Sequence, residues 1–364
     1  MASGRRPAKR SRRLAVLVLL LPLAMAAQAA PVQYPPVLPG AALRFPADQG
    51  SHPAFRTEWW YVTGHLESAA GPLGFQITFF RSRPSRDWPN PSAFAPRQLL
   101  FAHAALADSR QGRLLHDERA ARAGFGLAEA LAGRTAVWID DWSLQQTGAG
   151  YRARIPAKDF TLELTLTPSQ PILLQGDAGF SQKSPERLDA SYYYSQPQLR
   201  VTGTVLRQGR RLPVQGRAWL DHEWSSRVLH REASGWDWLG LNLDDGGALM
   251  LFRIRDARGG VLWAGGTHRD AAGRRRSFRP DEIRMTPVTH WTSPRTRVRY
   301  PVAWDVRVPG LQFRLQPLMA DQELDARAST GTIYWEGAVD AVQDGRRLGQ
   351  GYLELTGYGQ RLRM

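Results

Sequence analysis

Asp221, His222, Glu223 and Trp224 stand side by side at the end of the run Gly216-Arg217-Ala218-Trp219-Leu220, and Gly235-Trp236-Asp237-Trp238 follows closely. An imidazole between two carboxylates can give and take protons near neutral pH. In an extended strand Asp221 and Glu223 face one side, while His222, Trp224 and Leu220 face the other. The other reading of this run is a polar strand end, with His222 bound to a backbone carbonyl and the acids paired to Arg. A second candidate group is Arg56-Thr57-Glu58-Trp59-Trp60-Tyr61, preceded by Asp48 and His52. A Glu buried among aromatics can hold its proton and act as a general acid. It can equally form an ion pair with Arg56 or another Arg that closes the fold. Glu58, Trp59, Trp60, Tyr61, Trp219, Glu223, Trp236 and Trp238 are the candidate ligand-contacting residues, around Asp221, His222 and Trp224 as the candidate chemical centre.

Other chemistries lack support. His65 and His103 fall on predicted strands and could in principle join His222 around zinc. No short-spaced His pair accompanies them, so neither metal nor cofactor is expected. The chain has no cysteine, which excludes a thiol nucleophile and thiolate metal sites. No Gly-x-Ser-x-Gly elbow is present, and no Gly-rich loop leads into a helix.

The elements that must position these residues are strands. Phe160, Leu162, Leu164 and Leu166 alternate with polar residues, as a half-buried strand requires. Leu100 to Leu106, Ala248 to Ile254 and Gly351 to Thr356 read the same way, and one Ala- and Arg-rich helix is predicted over Glu118 to Leu131. Many short strands between turns point to an all-β sandwich or barrel. The chain also repeats itself. Gly203-Thr204-Val205, Gly209-Arg210-Arg211-Leu212 and Gln215-Gly216 return as Gly337-Ala338-Val339, Gly345-Arg346-Arg347-Leu348 and Gln350-Gly351. Trp59 to Leu66 and Trp236 to Leu243 open the two halves. Copies of this length imply a duplicated domain, divided here into 30–230 and 231–364. After Gln-Gly the second copy reads Tyr352-Leu353-Glu354-Leu355-Thr356. The scaffold therefore does not need Asp-His-Glu-Trp at that strand end, which favours a ligand or the seam between the halves as its purpose.

Residues 1–29 read as a secretory leader: six basic residues, an apolar stretch from Leu14 to Met25, then Ala27-Gln28-Ala29. The expectation is export to the periplasm or cell envelope, with Sec and twin-arginine routes both open. Of 48 basic residues, 42 remain after the leader against 33 acidic, a net charge of +9. That charge allows peripheral contact with an anionic membrane. No basic patch interleaved with aromatics supports nucleic-acid binding. Much of the load of 13 Trp, 13 Phe and 10 Tyr must be core, since Trp and Tyr close barrel ends, and a surplus lining a cavity would suit an elongated apolar ligand.

The long motifs Phe45-Pro46-Ala47-Asp48-x-Gly50-x-His52-Pro53, Arg56 to Tyr61, Ala190-Ser191-Tyr192-Tyr193-Tyr194-Ser195, Trp219 to Trp224, Gly235 to Trp238 and Ser329-Thr330-Gly331-Thr332-x-Tyr334-Trp335-Glu336-Gly337 resemble the lipocalin-like family of AttH proteins and carotenoid 1,2-hydratases (hydroxyneurosporene synthases). The resemblance implies two tandem lipocalin-like antiparallel β-barrels in the cell envelope. It also implies a hydro-lyase that adds water to an isoprenoid C=C bond without a cofactor, with Asp221, His222 and Trp224 matching the hydratase Asp-His-x-Trp. The hydratases also use a Tyr and an Asp downstream, and Ala248 to Arg255 supplies neither, although Asp237, Asp244 and Asp245 lie nearby. The alternative implied by the AttH branch is a non-enzymatic accessory of an ABC transporter permease that handles lipids or lipoproteins.

Overall fold

The computed structural model of the chain describes residues 1, 4, 30–87, 92, 94–148 and 150–362. The expected leader, apart from residues 1 and 4, lies outside the described residues. Two large antiparallel sheets make up most of the fold, and the short strands Ala30–Pro31 and Arg86–Asp87 pair separately. In the first, the neighbours run 115–122, 99–108, 71–82, 57–68, 210–227, 190–207, 161–167, 150–156, 142–147, 136–139 and 128–130. Its far ends approach each other. Arg119 donates to the Ile139 carbonyl at 3.3 Å and stacks over Trp142 at 4.7 Å, so the sheet curls almost into a closed barrel. The second sheet runs 275–278, 261–269, 248–256, 233–243, 346–355, 332–343, 311–317, 299–308 and 284–292.

Alternation drives both sheets. In Thr161–Thr167, Leu162, Leu164 and Leu166 are buried while Glu163 and Thr165 are exposed, because successive side chains leave opposite faces of a strand. The inward faces make two separate cores, one around Phe75, Phe79, Trp142 and Leu162, the other around Leu251, Trp304, Trp335 and Leu353. The first barrel is thus filled by its own side chains. The predicted helix over Glu118 to Leu131 does not form. Those residues supply the strands Leu115–Arg122 and Ala128–Ala130. Residues 115–122 pair with Leu99–Leu106, so sheet hydrogen bonding at an otherwise open edge outweighs the weak helical preference of Ala and Arg.

The barrels join through their outer faces. Tyr61, Tyr193 and Trp219 from the first pack on Trp238, Met250, Phe252, Ala338 and Tyr352 from the second. The approach is close: a Cβ on Gly74 would lie 2.5 Å from that of Ala338. His65 Nε2 meets the Gly351 carbonyl at 2.9 Å, and His103 Nδ1 meets Tyr334 Oη at 2.6 Å. Burial pushes the His103 imidazole down to about 3 and lowers that of His65, so both histidines act as neutral hydrogen-bonding groups of the seam. Residues 228–232 connect Arg210–Arg227 of the first sheet to Ala233–Leu243 of the second.

Candidate functional site

The strand Arg210–Arg227 lies between 57–68 and 190–207, and its two faces serve different places. Leu220, His222 and Trp224 point into the first barrel, while Trp219, Asp221 and Glu223 point toward the second. Between the barrels an apolar cavity opens, whose enclosed space is about 70 Å³. Trp59, Phe80, Trp236, Trp238 and Phe252 form its walls, and Val228 and Leu229 of the connecting segment reach it as well.

Four acids and one amine face this space. Asp221 accepts from Ser195 Oγ at 2.5 Å, Tyr193 Oη at 2.6 Å and Trp219 Nε1 at 2.6 Å. Burial nonetheless pushes its carboxyl up to about 7, against the pull of those three bonds. Glu223 is paired to Lys183 at 2.8 Å and accepts from Ser191 Oγ. The Lys183 ammonium sits 4.3 Å over the Phe252 ring and 4.9 Å over Tyr193. Glu336 and Glu354 are register partners on 332–343 and 346–355. Tyr61 donates to Glu336 Oε2 at 2.7 Å. Burial, reinforced by the neighbouring Glu354, drives the Glu336 carboxyl well above the carboxylate range. Burial also lifts Glu354 to about 8, opposed by a hydrogen bond from Trp236 and aided by the charges on Asp221 and Glu223. A carboxylic acid that keeps its proton at neutral pH beside aromatic walls is what a general acid requires.

Of the residues read from the sequence, Trp59, Tyr61, Asp221, Glu223, Trp236 and Trp238 line the cavity, and Trp219 braces Asp221 from behind. Glu58, Trp60, His222 and Trp224 are brought together elsewhere, inside the first barrel. There Glu58 Oε2 takes Arg81 Nε at 2.7 Å, and its Oε1 faces His52 Nδ1 at 2.7 Å and His222 Nε2 at 2.9 Å. Burial pushes the Glu58 carboxyl up, but the bonds from both histidines and the charge of Arg81 outweigh it and hold the group well below its usual range. Burial likewise lowers His222. Asp237, Asp244 and Asp245 do not reach the cavity. Asp237 is bound by Arg253, Arg255 and Tyr358, Asp244 by Arg347, and Asp245 caps the Gly247 amide. Sequence reasoning missed Lys183, Glu336 and Glu354. The available signal was a lone acid in an apolar strand, Leu353-Glu354-Leu355 and Trp335-Glu336-Gly337.

Among the described residues two clusters carry metal-ligating atoms within 4.8 Å of one another, His52 with Glu58 and His222, and Glu186 with Asp189 and His230. In the second, Arg227 occupies both carboxylates, at 3.2 and 2.8 Å.

The family model of AttH-like proteins matches residues 36–358. Among solved structures, a Nitrosomonas europaea protein assigned to AttH is 53% identical and superposes with a TM-score of 0.83, covering 89% of this chain and 99% of that one. Kievitone hydratase of Nectria haematococca superposes with a TM-score of 0.67 at 14% identity, covering 91% of this chain and 98% of that one. No curated protein matches in sequence. Two barrels joined by their outer faces are thus the fold of a group in which one member is named a hydratase, and the chain itself belongs to the AttH-like family.

Proposed function

We propose that the mature chain, exported behind its 1–29 leader, takes an apolar alkene into the cavity between its barrels and adds water across the double bond. The observation that carries this reading is the Glu354 carboxyl, lifted to about 8 against an aromatic wall. Glu354 gives its proton to one alkene carbon, forming the C–H bond as the π electrons leave the other carbon cationic. The faces of Trp59, Trp236 and Trp238 adjoin that charge, and each such contact is worth about 0.5–2 kcal/mol. Water oxygen then forms the C–O bond, and its surplus proton passes to Asp221, which is partly ionised at neutral pH because its carboxyl lies at about 7. Proton return to Glu354 closes the cycle without a redox cofactor. The enclosed space is small, about 70 Å³, so only the reacting end of an isoprenoid chain enters and the rest lies in the open mouth.

One observation favours a second reading, a non-catalytic carrier serving an ABC transporter. Three donors already hold Asp221, a complete cage that leaves its oxygens little freedom to take a proton. Incubation with acyclic terpenes in heavy-oxygen water separates the two. Labelled alcohol supports hydration. Unlabelled substrate, together with lipid identified by mass spectrometry in the native protein, supports the carrier.

A further inference from the structure

Each barrel carries a buried acid matched to an arginine on the neighbouring strand, and one of the two carries something extra. In the second barrel Asp237, midway along Ala233–Leu243, is matched in register by Arg253. Arg253, Arg255 and Tyr358 satisfy it, and no imidazole touches it among the described residues. In the first barrel Glu58 opens the first strand and is matched by Arg81. A buried acid matched to an arginine on the neighbouring strand thus occurs in both barrels. Yet two imidazoles, His52 and His222, are also aimed at the same Glu58 oxygen, at 2.7 and 2.9 Å.

The surroundings are those of a ligand set. Glu58 Oε2 is used by Arg81, by Ser51 Oγ at 3.3 Å and by the His52 amide at 2.9 Å, while Oε1, 3.1 Å from the same amide, faces the imidazoles. Each histidine has its far nitrogen fixed: His222 Nδ1 by Tyr194 Oη at 3.1 Å, His52 Nε2 by Asp48 Oδ1 at 3.3 Å. Outer partners of this sort hold metal-binding histidines in one tautomer and orientation. The rings themselves are clamped, His52 stacked on Trp224 at 3.7 Å and His222 on Trp60 at 4.7 Å. Glu58 and His222 are fully buried, while the side chain of His52 is 16% exposed and marks the side from which an ion enters.

We propose that His52 Nδ1, His222 Nε2 and Glu58 Oε1 bind a divalent transition ion of the zinc class, with water completing the sphere. Two imidazoles and one carboxylate select such an ion over magnesium or calcium, which take oxygen ligands. Protons and metal exchange without disturbing the shell. In the proton-bound state His222 donates from Nε2 and accepts from Tyr194 at Nδ1. In the metal-bound state its proton moves to Nδ1 and is accepted by the Tyr194 oxygen. His52 frees Nδ1 in the same way and donates from Nε2 to Asp48. The site is separate from the inter-barrel cavity and does not rest on the hydration reading.

The test is calorimetric titration of tag-free, chelator-treated mature protein with zinc and with cobalt(II), the latter also followed by its visible absorption. The expected result is one ion per chain and cobalt bands of a four- or five-coordinate site. His52→Ala should abolish both, Tyr194→Phe should weaken affinity by about 10–100-fold as a lost outer partner does, and His230→Ala and Glu354→Gln should bind as the wild type does. Absence of one-to-one binding by either ion overturns the assignment. So does undiminished binding in His52→Ala, or loss of binding in His230→Ala.

Discussion

Glu58 and Glu354 are two carboxyl groups withdrawn from bulk water in neighbouring parts of the molecule, and they titrate in opposite directions. For both, burial is the largest influence and favours the protonated form. Glu58 is rescued by the Arg81 guanidinium and two imidazoles, so it stays ionised. Glu354 meets Trp236 and a group of other acids, and stays protonated. Burial therefore decides nothing by itself; what stands within hydrogen-bonding reach does. His222 and Asp221, adjacent in the chain, are split the same way by the two faces of one strand.

The largest effect should come from removing the counter-charge. Arg81→Met leaves a buried carboxylate without its cation and should cost about 3–5 kcal/mol in urea unfolding; a near-neutral result would mean that Glu58 does not need to be charged. On the other side of the strand, Glu354→Gln should lower hydration by about 10²–10⁴-fold while raising stability above pH 8, since the variant no longer ionises in an apolar site. A variant that keeps full activity would remove Glu354 from the chemistry.

Titration sharpens the contrast. With Asp221 at about 7 acting ionised and Glu354 at about 8 acting protonated, the rate should peak between those values and fall on both sides. Stability behaves differently. Carboxyls raised from 3.8 and 4.5 contribute stability that is fully present below those values and is lost as pH rises through about 7 to 8. Glu58, depressed from 4.5, contributes stability present above that value and lost as pH falls. Unfolding measured across pH should show an acid limb that shrinks in Arg81→Met and an alkaline limb that shrinks in Glu354→Gln. The smallest change is expected from Trp238→Phe, which removes the 3.0 Å bond to Tyr193 Oη and should cost about 1 kcal/mol, with Asp221 left in place.

Much of the architecture was legible beforehand. Leucines spaced by two marked Thr161–Thr167, and the repeated Gly-Arg-Arg-Leu and Gln-Gly runs fall on the hairpins 190–207/210–227 and 332–343/346–355. The stretch from Glu118 misled because Ala and Arg favour a helix locally, while the open edge of 99–108 supplied a partner that no local pattern announces. Comparing the copies drew attention to Asp221 and His222 but passed over Glu354, which belongs to the copy taken as plain scaffold.

By itself the sequence determined that Asp221 and Glu223 leave one side of their strand and His222 and Trp224 the other, since the period of two is a property of any extended chain. Only the tertiary structure decided what each side meets. One side is a filled barrel where Arg81 and His52 keep Glu58 charged. The other is a seam between two outer faces, where Glu336 and Glu354, more than a hundred residues away in the chain, close an apolar cavity and keep their protons.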